Sequence, residues 1–130
     1  MANVSHSNSR QALILFAHGA RDPRWAEPLV RIQQLIVARV DTSVQIHQAF
    51  LELMSPTLPD LVDRLVADHV GVITVMPIFL GQGSHVRNDL PLLIQQLQSD
   101  HPSTTFNLAA AIGENEQVLT AIANACIAYL

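Results

Sequence analysis

Residues 12–36 read ALILFAHGARDPRWAEPLVRIQQLI, and within this stretch the hydrophobic pattern changes character once. Ala12 to Ala17 is an unbroken apolar run, the mark of a strand buried on both faces of a sheet. Asp22-Pro23 follows as an N-cap with proline at the first helical position. Trp25, Leu29, Ile32 and Ile36 then recur at spacings of four, three and four, which is one face of a helix.

The same unit repeats along the chain. Val44 to Phe50 is a second strand, with Val44, Ile46 and Phe50 on one face, and Ser55-Pro56 offers another cap-plus-proline helix start. Leu58, Leu61, Val62, Leu65 and Val66 form the stripe of that helix. Val72 to Met76 is a buried third strand, and a glycine-containing loop separates it from a third helix carried by Leu90, Leu93, Ile94 and Leu97. Thr104 to Ala109 is a weaker fourth strand. Gly113 precedes a last helix expected to turn Val118, Leu119, Ile122, Cys126 and Tyr129 inward. Strand and helix alternating four times predict an α/β fold: a doubly wound, flavodoxin-like domain with a four-stranded parallel sheet and helices on both faces. The default strand order is 2-1-3-4, with another order of the same strands as the alternative. Residues 1–10 read as a flexible polar tail and residues 11–130 as one domain.

Composition narrows the function. Of 130 residues, 49% are apolar and 14% charged, and the net charge is −4. All seven cations are arginines. The acidic balance argues against nucleic acid and against an anionic membrane surface. A single cysteine excludes an intramolecular disulfide and a paired-cysteine metal site, and it fits a cytoplasmic protein. No run of apolar residues is long enough for a transmembrane helix, and the opening residues have no apolar signal core.

In an open parallel sheet, ligands bind beyond the carboxyl ends of the strands, where the winding reverses. In order 2-1-3-4 that place lies between strands 1 and 3. The segments leaving those strands are His18-Gly19-Ala20-Arg21-Asp22 and Pro77 to Asp89, each read as a glycine-bearing loop with one histidine. Strand 2 leads into Leu51-Glu52-Leu53, which brings a carboxylate to the same end. Two imidazoles and a carboxylate without cysteine suit cobalt, nickel, iron or zinc, and imidazole also accepts protons near neutral pH. Arg21, Arg24 and Arg87 lie close by in sequence, with guanidinium forks suited to carboxylates or phosphates.

Plainer readings stand beside these. His18 or His85 alone can be a hydrogen-bonded loop histidine, and Glu52 a solvated cap for the following helix. Gly19, Gly81 and Gly83 can serve turns with positive φ. The arginines can be neutralised by Asp22 and Asp89. Trp25 reads first as packing and second as a wall for a flat ligand. His6, His47, His69 and His101 read as structural or idle, and Cys126 as core. A phosphate cradle is not supported, because neither GxGxxG nor GxxxxGK[ST] occurs.

Taken together, LILFAHGARDP, the AFLEL segment and MPIFLGQGSHVRNDLP resemble the short class II chelatases, the small CbiX-type sirohydrochlorin chelatases, over essentially the whole chain from Leu13 onward. The run P-x-F-L-x-x-G-x-H-x-x-x-D-[IL]-P from Pro77 to Pro91 is the most specific element. The resemblance implies a half-size chelatase domain that forms a homodimer. It further implies insertion of Co²⁺ or Fe²⁺ into sirohydrochlorin, in cobalamin or siroheme biosynthesis, with no organic cofactor. By matching position, His18 and His85 become the metal-handling and proton-accepting pair, with Glu52 as a weaker metal ligand. Arg21, Arg24, Arg87, Phe79, Leu80, Gly81, Gly83 and Ser84 become candidates for holding the carboxylate-rich macrocycle. Nickel is less favoured, because the histidine-rich insertion of nickel-type relatives is missing after strand 3. A His-Gly pair after a strand also suggests phosphoglycerate-mutase-like enzymes, but these have arginine before the histidine and Ala17 stands there. The alternative function is a non-catalytic carrier of metal or tetrapyrrole.

Overall fold

A computed structural model describes residues 10–130. The tail expected for residues 1–9, and His6 with it, lie outside the described residues, while Arg10 opens the first strand. In chain order the elements are β1 (Arg10–Ala17), α1 (Glu27–Val37), β2 (Val44–Phe50), α2 (Leu58–Ala67), β3 (Val70–Pro77), α3 (Ser84–Asp100), β4 (Thr105–Leu108) and α4 (Glu116–Ile127). The four strands form one parallel sheet in the order β2-β1-β3-β4, as the alternation of periods predicts.

β1 is the axis of this arrangement. It pairs with β2 from Gln11 against Val44 to Ala17 against Phe50, and with β3 from Gln11 against Val72 to Phe16 against Pro77. Its side chains alternate between two cores. Ile14 and Phe16 join Ile73, Val75, Leu58, Leu61, Val62, Leu65, Leu90, Ile94 and Leu97 beneath α2 and α3. Leu15 and Ala17 join Ile46, Phe50, Ala26 and Leu29 beneath α1. Each fully buried large side chain contributes roughly 1.5–3 kcal/mol, whereas a helix cap contributes about 1 kcal/mol, so the apolar stripes rather than the caps decide where the helices lie.

The helix starts differ from expectation at two places. Asp22 does cap its turn, accepting from the Arg24 N–H at 2.9 Å, although Pro23–Ala26 is a 3-10 turn that leads into α1. Ser55, in contrast, caps nothing. Thr57 accepts from the Asp60 N–H at 3.3 Å, and Pro59 rather than Pro56 takes the first turn of α2. The Pro56 carbonyl instead accepts from the Phe50 N–H at 2.9 Å, tying this segment to the end of β2. α3 begins at Ser84, well before its apolar stripe. His85, Val86 and Arg87 are therefore helical rather than loop residues, and Pro91 lies inside the helix. A proline usually signals a helix start or break, and Pro91 stands just after Leu90. In the first turn only Val86 continues the apolar repeat of Leu90, Leu93, Ile94 and Leu97.

The largest departure is α4. The inward face expected for it does not exist within this chain: Val118 is half-covered, while Leu119, Ile122, Cys126 and Tyr129 are exposed. Periodicity identifies an apolar face but not whether the same chain covers it.

Polar groups within the framework are matched. At β4, the Gln98 amide donates to the Thr104 carbonyl at 2.6 Å and accepts from the Phe106 N–H at 3.2 Å. His101 is not idle, because its Nε2 lies 3.3 Å from Asp63 Oδ1 and joins the end of α3 to α2. His47 on β2 shares a hydrogen bond with Gln45 at 2.9 Å. Partial burial, assisted by the nearby Arg64 charge, lowers the His47 pKa below its ordinary value.

The sign of the resulting pH dependence follows from linkage. The unfolded imidazole takes up a proton near pH 6.5, but the folded one does so only at lower pH. Stability from the neutral His47 is therefore complete above that value and declines as pH falls through the folded pKa. Urea unfolding midpoints should fall between about pH 7.5 and about pH 5.5, and a His47→Gln variant should lose less over the same interval. Equal losses in the two proteins would remove His47 from this account.

Candidate functional site

The carboxyl ends of the strands are laced together by backbone hydrogen bonds. Beyond β2, the Leu51 N–H donates to the Ala17 carbonyl at 2.9 Å and the Glu52 N–H to the His18 carbonyl at 3.1 Å, so the two segments stay bonded just past the strand ends. The Ile78 N–H donates to the Phe16 carbonyl at 2.8 Å, and the Gly113 N–H to the Phe79 carbonyl at 2.9 Å. Two glycines permit this closeness. Gly19 has φ +97°, and a Cβ there would stand 1.8 Å from the Glu52 carbonyl oxygen. A Cβ on Gly113 would stand 2.0 Å from the Leu80 carbonyl oxygen. Any larger residue at either position forces two loops apart.

This lacing sets two side chains face to face. His18 Nε2 lies 3.2 Å from Glu52 Oε1, and both groups are about half exposed at the rim of the sheet. The pair offers one imidazole nitrogen and one carboxylate oxygen, a donor set matched to Co²⁺, Fe²⁺ or Zn²⁺. Without a metal, the same geometry holds an imidazole ready for proton transfer.

His85 is placed differently. It is the second residue of α3, its side chain is 96% exposed, and Nδ1 lies 3.8 Å from Asp89 Oδ2 one turn on. It lines an apolar cleft of about 220 Å³ with Phe16, Leu51, Val86, Asp89, Leu90 and Leu93. Leu51 immediately precedes Glu52, so this cleft adjoins the His18–Glu52 pair. Among the described residues, no group of three or more His, Cys, Asp and Glu side chains is close enough to hold a metal. The structure therefore brings His18 and Glu52 together and leaves His85 outside that pair.

The remaining candidates separate clearly. Arg24 is committed to Asp22: Nη2 lies 2.7 Å from Oδ2, and Nε lies 3.2 and 3.1 Å from the two carboxylate oxygens. Hydrogen bonding to Arg24 lowers the Asp22 pKa, and the same contact raises that of Arg24. Arg87 does not pair with Asp89, which faces His85 instead, a partnership readable from the four-residue spacing. Among the described residues Arg21 and Arg87 make no ion pair, and Arg87 lines a second cleft of about 250 Å³ with Pro77, Gln82 and Glu114. Phe79 is not at the rim: it is buried, with its ring edge-on to Phe16 at 6.0 Å. Leu80, Gly81, Gly83 and Ser84 are exposed.

Trp25 departs from the packing expectation. It is 42% exposed, 6.4 Å from the Phe50 ring, and it walls an apolar cleft of about 200 Å³ with Ala17, Pro28, Leu29, Ile32 and Ile78. Ala17 adjoins His18, so the carboxyl end carries apolar clefts on both sides of the histidine's strand. Pro28 and Ile78 were invisible as lining residues, because neither belongs to a polar motif nor to a stripe.

Known proteins resemble this chain in sequence and fold. A family model described as CbiX matches residues 12–128. The chain is 30% identical over 91 residues to the sirohydrochlorin cobaltochelatase of Methanocaldococcus jannaschii, covering 70% of this chain and 63% of that protein. It is 27% identical over 113 residues to the sirohydrochlorin ferrochelatase of Bacillus subtilis strain 168, covering 87% of this chain but only 43% of that protein. The match thus spans less than two thirds of either relative. In structure, it superposes on a CbiX protein from Marinobacter aquaeolei VT8 with a TM-score of 0.79 at 33% identity, covering 92% of this chain and 96% of that one. With the family model matched from the first core strand to the last helix, and with that structural agreement, the chain belongs to the CbiX family.

Proposed function

We propose that the chain is a cytoplasmic sirohydrochlorin metal chelatase that inserts Co²⁺ or Fe²⁺ and acts as a homodimer, in cobalamin or siroheme biosynthesis. The observation that carries this reading is the His18–Glu52 pair, set by the lacing of two strand-end loops between apolar clefts. The cobaltochelatase and ferrochelatase relatives support the reaction class and leave both ions in place as substrates.

The reaction replaces two pyrrole N–H protons by one divalent ion, so two protons leave and the ion exchanges its former ligands for all four ring nitrogens. His18 and Glu52 hold the incoming ion through one nitrogen and one oxygen, and release of the ion to the macrocycle frees His18 to accept one proton. His85, across the neighbouring cleft, is the second proton acceptor. The apolar clefts match the flat faces of a tetrapyrrole. Arg21 and Arg87, unlike Arg24, keep guanidinium groups available for its carboxylates. Exposed backbone from Leu80 to Ser84 adds hydrogen-bond donors beside the rim. Holding ion and macrocycle in register supplies much of the acceleration.

The direct test mixes protein with sirohydrochlorin and Co²⁺ or Fe²⁺ under anaerobic conditions and follows the macrocycle absorbance. Insertion beyond one equivalent, faster than without protein, is expected with at least one ion. A single stoichiometric spectral change without turnover would instead identify a carrier.

Two sets of variants localise the chemistry. His18→Ala should lower the insertion rate by about 10²–10⁴-fold, the usual contribution of a positioned acid–base group. Glu52→Gln should be impaired most at low metal concentration, since it retains the shape of the side chain but loses its charge. Full activity in His18→Ala would place the reaction elsewhere on the molecule.

Gly19→Ala tests the lacing itself. The added methyl and the positive φ together should cost about 1–3 kcal/mol of stability. They should also lower the insertion rate in protein that remains folded at the assay temperature, because His18 and Glu52 move apart. A Gly19→Ala protein of wild-type stability and rate would show that close loop contact is not needed.

A further inference from the structure

We propose that Leu53 and Leu80 are two fixed apolar lips on either side of His18, and that the flat face of the tetrapyrrole rests on them while its nitrogens meet the ion. The inference rests on the chelatase reading and assigns contact residues for its macrocycle.

A single exposed leucine needs no explanation. Leu53 does, because its backbone is left-handed, with φ +67°, a conformation that glycine or asparagine adopts at the least cost. Packing does not offset this, since the residue is 58% exposed. The chain on both sides of it is nevertheless held in place. The Glu52 N–H donates to the His18 carbonyl, and Met54 packs against the core beneath α1. The Glu52 carbonyl, which begins the peptide bond to Leu53, lies so close to Gly19 that no Cβ fits there. Gly19 and Leu53 directly follow His18 and Glu52, and both have positive φ, so each segment turns immediately after its member of the facing pair. The fold thus keeps a leucine in a conformation unsuited to it and leaves it in solvent.

Leu80 repeats this arrangement beyond β3. Phe79 before it is buried, and the Phe79 carbonyl accepts from the Gly113 N–H. The Leu80 carbonyl crowds Gly113, where again no Cβ fits. Leu80 itself is 68% exposed. Two leucines are therefore presented to water from backbone that is pinned by a glycine.

The sheet order sets them around the candidate site. Each is the third residue past the end of its strand, Leu53 after β2 and Leu80 after β3, and β1 runs between with His18 at its end. Neighbouring strands lie about 4.8 Å apart, so the two loops leave the sheet roughly 10 Å apart with His18 between them. A four-pyrrole ring is of comparable width, and its nitrogens reach an ion held by His18 and Glu52 only when its centre lies there. Its rim then covers the loops on both sides. Polar side chains under the ring face would lose hydration without gaining partners, whereas leucines gain by being covered. Because both loops are already fixed, little freedom is lost when the ring arrives. Arg21, without an ion pair among the described residues, stands at the same end for the carboxylates at the ring edge.

The test measures macrocycle binding apart from turnover. Metal-free sirohydrochlorin is titrated into the full chain without oxygen, and quenching of the fluorescence of Trp25, the only tryptophan, gives Kd. Leu53→Asn keeps a residue that tolerates positive φ and removes the apolar surface. It should weaken binding about 5–10-fold, the loss that corresponds to about half of a leucine's burial. Leu80→Asn should act similarly, and the double variant should combine the two losses. Leu53→Met, which stays apolar, should bind as the wild type does. KM for the inserted ion should keep its wild-type value in Leu53→Asn, because His18 and Glu52 hold the ion, and the urea midpoint of that variant should not fall.

Wild-type affinity in both asparagine variants overturns the lips and leaves the chelatase reading standing. A raised KM for the ion with unchanged macrocycle affinity makes Leu53 a positioning residue for Glu52 and overturns the contact. Weaker binding accompanied by a lower urea midpoint traces the loss to the fold and overturns it as well. A wild-type chain that binds no sirohydrochlorin overturns the chelatase reading and this inference together.

Discussion

The parallel pairing of β1 with β2, together with the hydrogen bonds just past the strand ends, is the constraint on which the site depends. A strand paired on both edges and buried on both faces has no polar positions to spare, which is why Ala12–Ala17 is apolar throughout. The first residue free to be polar is His18. Just past the Ala17–Phe50 pair, the Leu51 and Glu52 N–H groups bond the Ala17 and His18 carbonyls and hold Glu52 beside His18. The geometry of the His18–Glu52 pair and the packing of the core therefore both follow from how β1 and β2 are joined. Gly19 is the point where the chain must turn away from β2, with the Glu52 backbone too close for any side chain.

Charge is distributed around this point rather than summed over the molecule. The net charge of −4 describes a surface that repels polyanions. The three arginines near the candidate histidines do not share one fate. Arg24 is spent on Asp22, where it stiffens the turn that leads into α1, while Arg21 and Arg87 stand free of ion pairs among the described residues. A ligand rich in carboxylates would meet two guanidinium groups rather than three. Nothing in the structure explains why every cation is arginine.

The sequence made the sheet legible because its information is local and periodic. Apolar runs fixed the four strands, stripes fixed the helices, and the crossover rule ordered them. Placing His18 and Glu52 at one end needed nothing more than that order. What could not be read depended on distant surfaces. The helical setting of His85 was hidden by Pro91 and by a first turn whose single apolar residue is Val86. The burial of Phe79 depends on Phe16 of the neighbouring strand, whose ring it meets edge-on just past the end of β3. Trp25 has helical spacing but extends past the end of its stripe, so periodicity counted it as core. The exposure of Cys126 and its neighbours stayed hidden because periodicity marks an apolar face but not what lies against it.

Gln98 deserves a last consequence. β4 is the short outer strand of the sheet, and strands in that position offer their backbone to any extended segment that drifts past. By engaging the Thr104 carbonyl and the Phe106 N–H with one amide, Gln98 takes up backbone groups that such a segment would need. The chain thereby resists growth into an open-ended ribbon through that margin.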